Sequence, residues 1–473
     1  VIKIDKKKSN KKNFVKFNKK KDDFKPKNID AICLGMNIEG KGLIKIDDEI
    51  VQVPYLIKGE KAKVNVSKEK RYYKTKILSL MERSKDRVDP KCEYFYDCGG
   101  CQLSHMNYES QLRFKEDTVR NLLKPFIKLD GIIGMDNPYE YRNKIHSTFA
   151  TIKGNEIVSG IYEEYSHKVI PLEKCIIQDP KGDEILKTIR GLVKRYKLKT
   201  YDEDKKEGFL RHVLIRTGFI SGQILVTFIV TDKIFPSKNG FIKDLVLAHP
   251  EITTITMNIN PKDTTFVIGE KEHVLFGEGF IEDELCDLRF KISSKSFYQI
   301  NPIQTEKLYK KAIEFADLKG NETVLDAYCG IGTISLVAAK GAKEVLGIEL
   351  NKDSVENAIT NARMNKIKNV RFINEDATRV MVDIAKHKEK VDVVFMDPPR
   401  SGADERFIKA VTTLKPNKVV YISCNPVTLA RDLEAFVKDG YTVEKAVAVD
   451  MFAQTYHVEA IILMTRSGSG DKK

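Results

Sequence analysis

Short apolar runs alternate with charged segments along the chain, and their spacing changes from region to region. From about residue 290 the runs at 324–326, 344–348, 371–374, 391–396 and 419–423 are mostly separated by helix-length stretches. That βα alternation predicts a parallel, doubly wound sheet. The last two runs, 445–449 and 458–464, are joined by only eight residues. No crossover helix fits there, so this pair is predicted antiparallel. Between 140 and 283, strand-like runs at 157–160, 212–216, 224–230 and 254–258 alternate with charged turns, as expected of an α+β domain. Residues 106–126 read as an amphipathic helix with Leu112, Val119, Leu122 and Leu123 on the core face. Five β-type runs between 29 and 80, punctuated by Gly35, Gly40, Gly42 and Gly59, predict a small OB-like barrel.

Length and charge narrow the function. A chain of 473 residues holds several domains, and 42% hydrophobic content supplies their cores. The formal charge of +14 favours a polyanionic partner, because basic side chains displace phosphate counterions. Basic residues with Tyr72 and Tyr73 among them run along the barrel (Lys58, Lys61, Lys63, Lys68, Lys70, Arg71, Lys74 and Lys76), the pattern of a nucleic-acid module. The Lys- and Asn-rich stretch at the N-terminus reads as a disordered basic arm. No run of about 18 apolar residues predicts a membrane span, and no apolar signal core is present. Eight cysteines in so long a chain fit reduced thiols in a cytoplasmic protein. The first residue is not Met and the last seven are Ser-Gly-Ser-Gly-Asp-Lys-Lys, which fits processing or an engineered end.

Five side chains are expected at one edge of the doubly wound sheet. The first strand runs into Asp326-Ala327-Tyr328-Cys329-Gly330-Ile331-Gly332, whose glycines let a ligand approach the backbone. The second ends at Glu349, where a carboxylate can take ribose hydroxyls. The pair suits NAD or S-adenosylmethionine, and the absence of G-x-G-x-x-G weighs against NAD. The fourth strand ends in Asp397-Pro398-Pro399-Arg400. Arg400 stands where adenine amino-methyltransferases carry an aromatic residue, which argues against exocyclic amine chemistry. The fifth strand runs into Ser423-Cys424-Asn425-Pro426 and a helix, where the helix dipole is expected to favour the Cys424 thiolate. Glu459 opens the final strand. If that strand is antiparallel, Glu459 joins Asp326, Glu349, Asp397 and Cys424 at the ligand edge. A thiolate, a carboxylate and a methyl donor together suit methylation of uracil carbon 5. The thiolate adds to carbon 6, and a base later removes the carbon 5 proton.

A second constellation is Cys92, Cys98 and Cys101 around Gly99 and Gly100, with Cys175 distant in sequence. Four thiolates of this kind hold a 4Fe-4S cluster or a structural zinc. The spacing is not the C-x3-C-x2-C of radical enzymes. Cys33, Cys286 and Cys329 read as ordinary residues.

Together these motifs, with Phe297-Tyr298-Gln299-Ile300-Asn301 and His457-Val458-Glu459, resemble the bacterial RNA uracil-5-methyltransferase family, in its iron–sulfur branch acting on 23S ribosomal RNA. The likeness spans about residues 28–465. It implies a class I, Rossmann-like α/β methyltransferase domain beside the barrel and the α+β domain, with S-adenosyl-L-methionine and a 4Fe-4S cluster as cofactors. Cys92, Cys98, Cys101 and Cys175 would hold the cluster. Gln299, Tyr328, Glu349 and Asp397 would contact S-adenosylmethionine, and Cys424 and Glu459 would be nucleophile and base. The implied organisation is a basic arm at 1–27, a TRAM RNA-binding barrel at 28–84, a central iron–sulfur domain at 85–102 and 136–283, and the methyltransferase domain at 103–135 and 284–473. Some relatives have Asp-Pro-Ala-Arg where Pro399 sits, a variation that leaves the chemistry untouched. A monomer acting on RNA is expected. The alternatives are a transfer-RNA T-loop uridine methyltransferase, an RNA cytosine-5 methyltransferase, which generally uses two active-site cysteines where only Cys424 is well placed here, and a non-catalytic RNA-folding or ribosome-assembly factor.

Overall fold

The computed structural model describes residues 26–69, 72–163, 166–262, 267–387 and 389–466. The predicted arm lies almost wholly outside these residues, as do Lys70 and Arg71. The chain forms two compact units, Val1–Lys85 and Asp86–Lys473. Among the described residues no helix is long and apolar enough to cross a membrane.

The N-terminal unit holds two three-stranded antiparallel sheets. One orders Lys27–Ile32, Lys61–Glu69 and Tyr72–Glu82; the other orders Gly35–Met36, Gly42–Ile46 and Glu49–Val53. The strand period of two sends Ala62, Val64 and Val66 inward with Ile44, Val51, Val53 and Leu56, while Lys63, Lys74 and Lys76 point outward. Gly42 has no substitute here, since a Cβ would lie 2.5 Å from the Leu56 carbonyl oxygen.

The larger unit contains two big sheets. The central one has seven strands, in the order Val169–Pro171, Glu156–Tyr162, Lys144–Ile152, Leu210–Thr217, Ile224–Val230, Ile252–Ile259 and Lys271–Phe276. Its one parallel pair, Ile224–Val230 with Ile252–Ile259, is bridged by the Lys238–Ala248 helix. Every residue of Leu210–Thr217 and of Ile224–Val230 is buried, because the Pro180–Arg195 and Lys238–Ala248 helices cover their apolar side chains.

The second sheet has eight strands, in the order Val370–Asn374, Glu344–Glu349, Thr323–Asp326, Val393–Met396, Lys418–Ser423, Glu459–Arg466, Tyr441–Val449 and Ile132–Ile133. All its pairings are parallel except the two made by Glu459–Arg466. The eight-residue link therefore does join antiparallel strands. Successive side chains feed two separate cores. Val324, Val393, Val420, Ile422 and Ile461 enter one, and Leu325, Val394, Val419, Tyr421 and Ile462 enter the other. Each buried Val, Leu or Ile is worth about 1.5–3 kcal/mol, so the two-sided apolar strands specify this sheet with helices on both faces. The expected boundary at 283/284 falls inside the Phe280–Leu285 strand, which pairs with Leu288–Ser293 and lays Ile281, Leu285, Phe290 and Ile292 into the first core.

The predicted helix at 106–126 forms over Tyr108–Leu123 and packs on the Pro426–Lys438 helix and the Tyr441–Val449 strand. Its buried face corrects the sequence reading. Val119 and Leu123 are buried, but Leu112 and Leu122 are only half-buried, and Gln111 and Lys115 take the inner positions. Lys115 is fully buried 2.6 Å from Asp450, and it also donates to the Phe452 carbonyl. Tyr108 donates to the second Asp450 oxygen at 2.9 Å. Removing one member of such a pair costs about 3–5 kcal/mol, because the other charge stays buried.

Candidate active site at the sheet edge

The antiparallel register pairs Ser423 with Ala460. One step further, Cys424 leaves its strand beside Glu459, which opens the neighbouring one. Glu459 is also paired with Val449 on its other side and is buried. Asp397 follows the adjacent Val393–Met396 strand, Asp326 ends the next, and Glu349 ends the one beyond it. The topology thus places at one edge the five side chains that the sequence expected there.

Side chains on the next turns brace the loops. Asn425 caps the Pro426–Lys438 helix by accepting from the Val427 N–H, while its amide donates to the Arg400 carbonyl at 3.0 Å. Asp432 is 1% exposed and accepts from the Tyr421 hydroxyl at 2.7 Å and the Ala403 N–H at 2.9 Å. Arg431, held by Asp432 at 2.6 Å, donates to the Ser401 carbonyl. Gly402 lies under this clamp at φ 78°, where a Cβ would meet Arg431 at 2.4 Å and Asp432 at 2.6 Å. The Arg400 guanidinium lies 3.1 and 3.3 Å from the two ring nitrogens of His457.

The electrostatics correct the thiolate expectation. Burial, then Glu459 and Asp397, push the Cys424 thiol up to about 11, and Arg400 offsets only part of this. Cys424 lies one residue outside the helix cap, and loss of water outweighs any dipole. Burial together with Asp397 holds Glu459 well above the usual carboxylate range. Burial together with Asp326 lifts Asp397 to about 7. These are carboxyl groups able to carry a proton near neutrality.

The adjoining loop offers a cofactor cradle. Glu349 accepts from the Gly330 N–H at 3.1 Å and the Asn351 N–H at 2.7 Å. Gly330 has φ 56°, and a Cβ added there would meet nothing within 4 Å. Asp326 is fully buried and accepts from the Ser335 hydroxyl at 2.7 Å, with the Tyr328 and Ser335 N–H groups also turned to it. Open glycine backbone between two carboxylate-ended strands fits a nucleoside ligand. The Tyr328 ring packs on Phe407 at 5.4 Å. Gln299 sits in the segment entering the Pro302–Ala316 helix, with its carbonyl held by Asn143 at 3.1 Å. Its side chain makes no hydrogen bond among the described residues.

The family model for tRNA (Uracil-5-)-methyltransferase matches residues 107–467. The chain belongs to this family. An RNA methyltransferase of Clostridium tetani is 41% identical over 444 residues, covering 93% of this chain and 96% of its own. One from Halalkalibacterium halodurans is 41% identical over 432 residues, covering 90% and 94%. Among solved structures, the Pyrococcus abyssi tRNA (uracil-54, C5)-methyltransferase in complex with S-adenosyl-L-homocysteine is similar at a TM-score of 0.75 and 25% identity, covering 92% of this chain and all of its own. This methyltransferase is therefore an S-adenosylmethionine-dependent enzyme acting on RNA, with the class I fold.

In this RNA methyltransferase Cys92, Cys98, Cys101 and Cys175 line one cavity of about 290 Å³. Burial pushes the Cys101 thiol up to about 12 and the Cys175 thiol up to about 11, and further thiols of the set add to both shifts. Among the described residues no group of three or more His, Cys, Asp or Glu side chains is placed to hold a metal ion. Cys101, Cys175 and Tyr141 pack with Ala453 in one apolar cluster, and the N–H groups of Gln102 and Leu103 both donate to the Gln454 carbonyl. The loop entering Glu459 is thus fastened to the cysteine region. A larger cavity, about 810 Å³, opens beside the Lys144–Ile152 strand, and none of the predicted site residues lines it.

Sequence reasoning passed over three residues of this edge. Arg400 was weighed only as a replacement for an aromatic residue, though it is the cation facing both Cys424 and Glu459. Asn425 carries a readable signal, since Asn before Pro at a helix start is a capping pattern. Asp432 carries none, because its partners come from three different elements.

Proposed function

We propose that this methyltransferase transfers a methyl group from S-adenosylmethionine to carbon 5 of a uridine in 23S ribosomal RNA, through a covalent adduct of Cys424, in the cytoplasm and as a monomer. The observation that carries the reading is the placement of Cys424 and Glu459 side by side across two antiparallel strand ends. S-adenosylmethionine supplies an electrophilic methyl group. Cys424 Sγ adds to uracil carbon 6 and leaves carbon 5 electron-rich enough to take the methyl. Glu459 then removes the carbon 5 proton, and the carbon–sulfur bond breaks to restore the ring. Because the Cys424 thiol is held protonated, its proton has to leave as the ring approaches, and Asp397 is the neighbouring carboxylate that takes it, so that Glu459 stays free to receive the carbon 5 proton. The target carbon is shielded in a stack, so the uridine enters as a flipped loop nucleotide. Glu349, Tyr328, Gln299 and Asp397 are the proposed cofactor contacts.

The N-terminal unit is proposed as a TRAM RNA-binding module, on its two small sheets and outward lysines. The cysteine cavity is proposed to hold a 4Fe-4S cluster. The reading rests on four cysteines lining one cavity, the ligand number such clusters use.

The second reading is transfer RNA. The structurally similar Pyrococcus abyssi protein acts on tRNA uracil-54 and covers 92% of this chain. That share is too large to omit the whole N-terminal unit, so the presence of such a unit does not by itself separate the two substrates. Mass-spectrometric mapping of 5-methyluridine in ribosomal and transfer RNA from cells with and without the gene decides. Loss from 23S RNA alone is expected. Loss from transfer RNA alone selects the second reading.

A further inference from the structure

The start of the central sheet brings three cations together. Lys144 opens the Lys144–Ile152 strand and is registered against Arg216 of the Leu210–Thr217 strand, and Arg142 lies two residues earlier. Arg216 is 2% exposed and donates to the Ser294 and Ser296 carbonyls, yet its Nε has no partner among the described residues. Arg142 Nε is likewise buried and unpartnered. None of the three forms an ion pair among the described residues. Asp283, the carboxylate whose charge reaches neighbouring Tyr298, is already occupied by the N–H groups of Phe219, Ile220 and Ser221.

Asn143 ties this start of the sheet to its neighbour, since its carbonyl accepts from the Thr217 N–H at 2.9 Å. Burial and the two guanidinium groups also push the Lys144 ammonium down to about 8. An anion here would relieve repulsion among three cations and satisfy the orphaned donors.

The cluster borders the reacting edge. Asn143 holds both the Gln299 and the Ile300 carbonyls, in the segment that exposes Phe297. The charge of Arg142 reaches His457, the ring against which Arg400 rests. An enzyme that flips a nucleotide has to grip the backbone beside it. Guanidinium forks with an ammonium suit a phosphodiester.

We propose that Lys144, Arg142 and Arg216 form a binding site for a backbone phosphate of the substrate RNA, flanking the uridine held at Cys424. The proposal deepens the RNA uridine-methylation reading and rests on it. Arg142 also lines the cysteine cavity and Arg216 braces backbone, so the test is built on Lys144.

Full-length protein and its Lys144→Gln and Lys144→Arg variants are titrated with a stem-loop RNA bearing the uridine in its loop. In parallel RNAs, single phosphates around the uridine are replaced by neutral methylphosphonate. The wild type is expected to lose affinity roughly fivefold at one linkage, and Lys144→Gln, already weaker by a similar factor, to lose nothing more there. The slope of log affinity against log salt should fall by about 0.7–0.9 in Lys144→Gln, the value for one phosphate contact, and return in Lys144→Arg. Unchanged S-adenosylhomocysteine affinity in all three proteins confirms the fold. A wild-type slope and linkage pattern in Lys144→Gln, with methylation still observed, overturns the phosphate site alone. A wild type that methylates no uridine in any loop RNA sinks the methylation reading and takes the site with it.

Discussion

Two sulfur sites lie in the same unit, and they share a first cause but not a chemistry. At Cys424 and at Cys101 loss of water is the largest influence, and it raises both thiols. Their next neighbours differ. Cys424 faces Glu459, Asp397 and Arg400, groups that can take a proton or steady the charge left behind. Cys101 faces Cys175, Cys98 and Cys92, which share its own reluctance to ionise. A thiol among carboxyl groups is suited to covalent chemistry, because the proton has somewhere to go as a bond forms. Thiols among thiols lose their protons together only when a metal replaces them. Burial alone would class the two sites as one kind.

The sharpest break in that comparison is Cys424→Ala. Product formation should fall by roughly 10⁴-fold or more, and no denaturation-resistant complex should form with 5-fluorouridine RNA. Iron content should stay as in the wild type, because the four thiols proposed as ligands are untouched. Residual product near wild-type levels would end the covalent mechanism. Next comes Glu459→Gln, which keeps shape but not basicity. Turnover should drop roughly 10²–10⁴-fold, while a covalent protein–RNA complex accumulates on ordinary uridine RNA. Normal turnover would make Glu459 a structural carboxylate.

How far the sequence showed this depends on the range of each interaction. The strands of the eight-stranded sheet were readable because their apolar runs are local and both faces are buried. Cys424 and Glu459 were readable because strand direction alone carries them to one edge. Lys115 was missed as a core residue because its partner Asp450 is 335 positions away, so an apolar count put Leu112 in its place. The Ile132–Ile133 edge strand is too short to leave a periodic signal. The order of the central sheet rests on pairings between distant segments, to which local pattern is blind. The direction of the Cys424 shift was misread because helix ends are visible in sequence, whereas burial and the carboxyl groups across the strand are not.

A smaller effect is expected at the thiol cage. Cys101→Ser should lower iron from about four per chain in anaerobically purified protein, and lower the thermal midpoint by about 1 °C for a loss of about 1 kcal/mol in a unit of this size. Because the cage segment holds Gln454, amide hydrogen exchange should rise across residues 450–458, while S-adenosylhomocysteine still binds. Full iron retention in Cys101→Ser would remove that cysteine from the ligand set. Stoichiometric zinc in the wild type would replace the cluster outright.

The smallest effect tests whether the carboxyl groups face the reacting sulfur of the cofactor. S-adenosylmethionine carries a sulfonium cation, and S-adenosylhomocysteine carries a neutral thioether of nearly the same shape. Burial and Asp326 raise Asp397 to about 7, so much of it is protonated at pH 5.5 and ionised at pH 8.5. A cation beside it binds better once the proton has left, and a neutral ligand gains nothing from that ionisation. The affinity ratio of S-adenosylmethionine to S-adenosylhomocysteine should therefore rise with pH across this window, by roughly threefold to tenfold for one partly screened charge pair. By linkage, S-adenosylmethionine should release a fraction of a proton on binding near pH 7, measurable by calorimetry in buffers of different ionisation enthalpy. Asp397→Asn should flatten the ratio while leaving S-adenosylhomocysteine affinity near its wild-type value. A ratio that is already flat in the wild type would place the sulfonium away from Asp397, and the carboxyl cluster would then serve the Cys424 proton alone.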